Sequence, residues 1–472
     1  MNIRTLSAVV LLVTLAATGS ATAQERVLGL DEAVRMALDA HPAIAAANLD
    51  LTAAKESEGV ALSGFLPQVG LTAGYQRTTA NFASTPGTSD ITTARPPLSG
   101  DTYNYFTVGA TLVQPIWDFG RTLGAYRAAQ ATVAGAALGV AVSRLDRWNR
   151  VVVAYYGVHA SQRLVDVATR TRDAVRRHAQ VSEAFYKVGS RPRLDMIRAQ
   201  AEAQSAEAAL GVAIQRLDLA RSTLLTFIGL SERFDFTVAP LDLGAAEPAT
   251  DLESSVDEAL KSRPERARME TSIQAAQAAV TRAMGDWFPI LSAGMGFTDA
   301  GTKINDMAWN WNVSVGLTYP LFSGLGTLHG YRAAKANLEA MKVRLREFDL
   351  GIRAEVEQAR LRIVETSARL QPLGAAVAAA NEAMHLAEER YKAGEGNAVE
   401  FMDARKGAAD AETEVVRAEY EVGLAWTAFQ RALGTLPKAY RATSNPPERA
   451  GAGGGFPQET LAGAEADSGR SN

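Results

Sequence analysis

The chain contains itself twice, and a duplication of this size restricts the possible folds more than any single motif. Ala37-Leu38-Asp39-Ala40-His41-Pro42 resembles Ala259-Leu260-Lys261-Ser262-Arg263-Pro264, and Phe65-Leu66-Pro67 resembles Trp287-Phe288-Pro289, both at one offset (264 − 42 = 222). Further along, Pro115-Ile116-Trp117 matches Pro320-Leu321-Phe322, Tyr126-Arg127-Ala128-Ala129 matches Tyr331-Arg332-Ala333-Ala334, and Tyr186-Lys187-Val188-Gly189 matches Tyr391-Lys392-Ala393-Gly394, all at a second offset (320 − 115 = 205). A single insertion therefore separates the halves and falls between Pro67 and Pro115. There Thr78 to Asp101, rich in Ser, Thr, Pro and Gly, reads as a surface loop of the first half. Each half is expected to run helix, strand pair, very long helix, tight turn, shorter helix. The first repeat occupies residues 24–230 and the second 252–436, with a turn-rich linker at 231–251 and a tail, 437–472, expected to be disordered.

The N-terminus reads as a secretory signal. Arg4 precedes an apolar run from Leu6 to Ala17, and Ala21-Thr22-Ala23 offers an A-x-A cleavage site, so residues 1–23 are expected to be removed on export. The run is shorter than the roughly 20 residues that a spanning helix needs. With no cysteine, the chain has no disulfides, thiol nucleophiles or Cys-based metal sites. No run of 18 or more apolar residues follows residue 24, so membrane insertion has to use a β-barrel. A formal net charge of −4 lacks the basic excess of a nucleic-acid-binding domain.

The strands carry a lipid-and-water pattern. Trp309, Trp311, Val313, Val315, Leu317 and Tyr319 alternate with Ala308, Asn310, Asn312, Ser314, Gly316 and Thr318. In the first half, Phe106, Val108, Ala110 and Leu112 alternate with Asn104, Thr107, Gly109 and Thr111, apart from one slip. Weaker partners precede both: Val69, Leu71, Ala73 and Tyr75, and Leu291, Ala293, Met295 and Phe297. Trp117, Trp287, Trp309 and Trp311 belong to these modules, as an interfacial aromatic belt requires. Four strands cannot close a transmembrane barrel, whose smallest form uses eight, so closure has to come from oligomerisation.

From Arg121 to Lys187 there is no proline, and the composition favours helix. A rod of that length reaches on the order of 100 Å. Val188-Gly189-Ser190-Arg191-Pro192 ends it with a C-capping glycine, and a return helix follows from Leu194 to Ile228. The second half repeats the pattern through Gly394, with a kink expected at Pro372. Alanines such as Ala199, Ala206, Ala408 and Ala409 allow close coiled-coil packing. Pro67, Pro115, Pro289 and Pro320 are expected at the junctions between barrel and helices.

The duplicated helix–strand–strand–helix unit, and above all Tyr391-Lys392-Ala393-Gly394-Glu395-Gly396-Asn397-Ala398-Val399-Glu400-Phe401-Met402-Asp403-Ala404, resembles the TolC family of outer-membrane efflux proteins, from about Leu30 to Gly434. The resemblance implies a mixed α and β fold: a homotrimeric, twelve-stranded outer-membrane barrel, four strands per chain, continuous with a periplasmic α-helical coiled-coil barrel. It implies a periplasmic membrane-fusion adaptor and an inner-membrane pump as partners, a passive exit duct for drugs, other small molecules or secreted polypeptides, and no chemistry or cofactor of its own. On the matching positions it makes Glu400 and Asp403 the acidic ring of the periplasmic gate, Tyr391 a gate tyrosine, and Asp195 the acid on the other hairpin. Gly396 stands where some members carry a gate arginine. The first hairpin tip instead offers Lys187, Arg191, Arg193 and Arg198 to Glu395, Glu400 and Asp403, so Arg191 or Arg193 is expected to hold Glu395 across hairpins.

Two other classes fit less well. The five histidines are scattered without metal-ligand spacing and no P-loop occurs, which speaks against an enzyme. An exported coiled-coil or adhesin-like fibre accounts for the rods but needs no lipid-facing strands.

Overall fold

The computed structural model describes residues 26–79, 102–231, 234–240, 251–393, 395–437 and 440. The expected signal segment, the first-half loop from residue 80 and nearly all of the tail lie outside these residues, as does Gly394. By compactness the chain divides at Thr435. In the second unit, the Tyr440 N–H donates to the Pro437 carbonyl at 2.9 Å.

The first half comprises β1 (Arg26–Leu28), α1 (Leu30–Ala40), α2 (Pro42–Leu62), β2 (Gln68–Thr79), β3 (Thr102–Trp117), α3 (Arg121–Lys187) and α4 (Arg193–Ile228). After β4 (Phe236–Val238) the second half repeats the series as α5 (Leu252–Ser262), α6 (Pro264–Gly285), β5 (Ile290–Lys303), β6 (Asp306–Thr318), α7 (Gly326–Ala393) and α8 (Ala398–Leu433). Where the sequence suggested one helix ahead of each strand pair, there are two, because Pro42 and Pro264 each start a new helix at its first position. α7 runs unbroken through Pro372.

Strands β2, β3, β5 and β6 form one antiparallel sheet in that order, with β2 and β6 at its edges. The register places Leu71, Ala110, Phe297 and Trp311 directly opposite one another across the four strands, and Val69, Leu112, Met295 and Val313 beside them. These two rows are apolar from edge to edge, and the same face also carries Asp299, opposite Val108 and Trp309, and Gln114, opposite Ala293. The other carries Thr72, Gly109, Thr298 and Asn310, and Gly70, Thr111, Gly296 and Asn312. Pro67, Pro289 and Pro320 flank strand ends, whereas Pro115 lies inside β3, beside an irregularity in its pairing with β5. A proline is tolerated in a ladder at such a break.

Each long helix leaves the sheet through two consecutive residues of positive φ. These are Phe119 and Gly120 before α3, and Gly324 and Leu325 before α7. The preceding residue caps the corner in both halves. The Asp118 carboxylate accepts from the backbone N–H groups of Gly120 (3.1 Å) and Thr122 (2.7 Å), and the Ser323 hydroxyl accepts from that of Thr327 (3.4 Å).

α3 is 67 residues long and is covered by shorter helices placed end to end, α2 near the sheet and α4 beyond it. α6 and α8 cover α7 in the same way, and both also touch α3. Near the sheet, α3 and α6 approach too closely for side chains: a Cβ on Gly124 would lie 2.7 Å from the Arg282 nitrogen, and one on Gly285 2.7 Å from Arg121 Cγ. At mid-length β1 and β4 pair in parallel. The buried Tyr155 hydroxyl ties them together, donating to the Leu28 carbonyl (2.9 Å) and accepting from the Ala239 N–H (3.0 Å).

Candidate functional site

The ends of α3 and α7 farthest from the sheet turn in the same way. Ser190 N–H donates to the Phe185 carbonyl (2.9 Å) and Glu395 N–H to the Arg390 carbonyl (3.0 Å), the 6→1 bond of a Schellman turn. Gly189 supplies the left-handed residue of the first turn at φ 74°. Each return helix starts at once, and Asn397 caps α8 by accepting from the Glu400 N–H at 2.8 Å.

Between the two tips lies a small aromatic core. Tyr391 of α7 and Phe401 of α8 are buried and stacked, with centroids 5.7 Å apart. The ring of His178, from α3, leans on both at 5.1 Å. His178 Nε2 lies 3.4 Å from the Ser182 hydroxyl, which lies 3.5 Å from the Tyr391 hydroxyl. The Arg191 guanidinium sits over the outer face of Tyr391, 5.3 Å from its centroid.

The sequence-derived residues fall around this core. Tyr391 is inside it, with the Ser182 hydroxyl beside its own. Asp195, in the first turn of α4, is close enough for its charge to act on His178. Glu400 and Asp403 stand exposed in the first turns of α8, with Glu400 2.6 Å from Arg390. Arg193 begins α4 and Glu395 lies exposed in the second turn. Among the described residues of one chain, no ion pair joins Arg191 or Arg193 to Glu395.

Sequence reasoning missed His178, Ser182, Phe401 and Arg405. Arg405 is buried beside Phe401 and donates to the Thr171 carbonyl (3.2 Å). The available signals were weak: His178 and Ser182, and Phe401 and Arg405, are pairs four apart that share a helix face.

Burial dominates the electrostatics. It holds the His178 imidazole below its ordinary value, with Arg405 acting in the same direction and Asp195 and Glu388 opposing. Burial also lowers Arg405, against the pull of Glu202 and Glu388, and raises Glu202, whose Oε2 is buried without a partner. Farther from the tip, ion pairs join the two hairpins. Arg163 pairs with Glu419, and Arg170 with Glu412 at 3.0 Å, so arginines seven apart on α3 meet carboxylates seven apart on the antiparallel α8. On its other flank α8 presents Glu414 and Glu421 to Arg369 of α7.

No cluster of His, Asp and Glu among the described residues has the arrangement of a metal site. What the site offers is a junction between two hairpin tips, aromatic inside and charged outside.

The chain resembles known proteins over most of its length. The alkaline protease secretion protein AprF of Pseudomonas aeruginosa is 24% identical over 429 residues, covering 87% of this chain and 85% of that protein. The outer membrane efflux protein BepC of Brucella suis is 23% identical, covering 81% and 80%. The crystal structure of the Campylobacter jejuni CmeC outer membrane channel superposes with a TM-score of 0.74 at 16% identity, over 86% of this chain and 85% of that one. The family described as outer membrane efflux protein matches two segments, residues 33–230 and 255–435. With a sheet mainly apolar on one face and polar on the other, rods too long for a globular domain, and both halves matched, the chain belongs to the outer membrane efflux protein family.

Proposed function

We propose that three copies of the chain close a twelve-stranded barrel in the outer membrane and extend it as a helical tube through the periplasm, forming a passive exit duct. The observation that carries this reading is the four-stranded sheet, with both edges unpaired and one face mainly apolar, interrupted at Asp299 and Gln114. In a bilayer each unpaired backbone group costs several kcal/mol, so β2 and β6 require partners, which neighbouring copies supply. Three copies give a barrel with a water-filled lumen, and the Thr, Gly and Asn face lines it. A stretch of α3 apolar enough for a membrane span by composition is mostly uncovered within one chain. In the assembly a neighbouring copy covers it.

The duct works with a periplasmic adaptor and an inner-membrane pump that supplies the energy, as one part of a tripartite efflux or secretion system. The relatives named above are a secretion protein and an efflux protein, so the cargo is assigned to the pump. At the tips, Glu400 and Asp403 form stacked anionic rings that favour cations and bind divalent ions. Arg191 and Arg193 hold Glu395 of a neighbouring hairpin and help keep the entrance shut. Each such exposed pair contributes about 0–1 kcal/mol, so several act together.

The test is oligomer mass and planar-bilayer conductance of the detergent-extracted protein. A trimer with small cation-preferring currents, which grow when Arg191→Glu and Arg193→Glu are combined, supports the duct. Unchanged currents in that variant overturn the arginine latch, and a non-conducting monomer overturns the duct in favour of a fibre.

A further inference from the structure

The aromatic core between the hairpin tips contains one residue that the duct reading leaves without a role. His178 is 7% exposed and is enclosed by groups from every helix around it. α7 contributes the Tyr391 ring and the charge of Glu388, and α8 contributes Phe401 and the buried guanidinium of Arg405. α4 contributes Asp195, and α3 itself the Ser182 hydroxyl. Among the described side chains, those of His178 and Ser182 are the polar groups of the first hairpin that reach Tyr391 from inside the core.

We propose that His178 is the positioning residue for Tyr391 and makes the parting of the two hairpins proton-dependent, closed when the imidazole is neutral and favoured to open when it is charged. The inference rests on the duct reading above. With Nε2 unprotonated, a directed chain fits the geometry: Tyr391 O–H donates to Ser182 Oγ, whose own O–H donates to Nε2. A proton on Nε2 removes that acceptor and puts a second positive charge in a water-poor space beside Arg405. Asp195 and Glu388 act against the repulsion, and burial, the largest effect, keeps the imidazole below its ordinary value. Separating α7 and α8 from α3 exposes the ring to water and relieves both.

The sign follows from linkage. The packed state holds the imidazole below its ordinary value, so the contribution of His178 to the packed state is complete above about pH 6.5 and declines as the pH falls below it. One proton per chain changes the balance between packed and parted hairpins by at most roughly tenfold per pH unit. Unperturbed carboxylates titrate near pH 4; Glu202, which burial raises, is present in the wild type and in His178→Gln alike, so the difference between the two isolates the imidazole.

The experiment compares conductance of the full-length protein and of His178→Gln in planar bilayers at pH 7.5 and 5.5. The wild-type open fraction is expected to rise several-fold at pH 5.5, and the variant's to stay level. The four remaining histidines serve as an internal control. Ser182→Ala, which interrupts the hydroxyl chain but leaves the imidazole, is expected to raise the open fraction at pH 7.5 and to retain a pH step. If His178→Gln does not assemble, His178→Phe, which keeps the ring packing, is read in the same way. A level wild-type response, or a variant that keeps the wild-type step, overturns the inference and leaves the duct intact. A protein that conducts at neither pH overturns the duct reading and this inference with it.

Discussion

His41 and Arg263 hold equivalent places in the two halves and perform one task by different chemistry. Each stands just before a proline that starts a helix and beside the C-terminus of a return helix, whose last carbonyls have no partner within the helix. The His41 Nδ1 accepts from the Ala43 N–H at 2.9 Å, and the Thr226 carbonyl of α4 lies close enough to the ring to favour its protonated form. Arg263, buried, donates to the Ala432 carbonyl of α8 and pairs with Glu355 at 2.6 Å. Imidazole is the side chain whose charge changes near neutral pH. Burial and the nearby Arg147 hold it below its ordinary value, the Thr226 carbonyl opposes them, and Arg150 adds to the lowering. A lowered imidazole favours the folded state fully above about pH 6.5 and progressively less below. The thermal midpoint is therefore expected to fall between pH 7.5 and 5.5, and to fall less in His41→Asn, which keeps a capping acceptor but carries no titrating ring. Melting curves at the two pH values check this.

Helix contacts divide into those set by small residues and those set by charges. Near the sheet, α3 and α6 meet at Gly124 and Gly285, where no Cβ fits. Gly124→Val pushes a branched side chain against the α6 backbone and is expected to destabilise by about 1–3 kcal/mol, measured as a lower denaturation midpoint. This scale also marks what the sequence made legible. The span of α3 could be read because no proline interrupts it, and the sheet because alternation at period two survives over the middle of each strand. The pairing of β1 with β4 could not: each has three residues, and the hydroxyl that joins them belongs to Tyr155, 127 residues from Leu28. Nor could the tip core. His178 is an ordinary polar residue of α3 until α7 and α8 bring Tyr391 and Phe401 against it, and nothing local announces that approach. The family motif directed attention to the exposed Glu400 and Asp403, while Phe401 between them carries the packing.

For the whole assembly, the proposed acidic rings predict how ions pass. Replacing Glu400 and Asp403 with Gln and Asn removes formal charge from the narrow end and leaves the buried Phe401 and Arg405 untouched. Cation preference and block by divalent ions are both expected to weaken, as reversal potentials in a salt gradient and titration with magnesium would report. The arginines and carboxylates that join α3 to α8 act on the alignment of the two hairpins in a less obvious way. Arg163, Arg170 and Arg177 repeat every seven residues, as do Glu412 and Glu419. Sliding α8 by one such repeat, about 10 Å, would bring Arg170 to Glu419 and Arg177 to Glu412. The charges work like a vernier scale with two coincident readings, and either alignment satisfies them. What tells the two apart is the packing at the tip, where only one setting brings Phe401 to His178 and Arg405 to the Thr171 carbonyl.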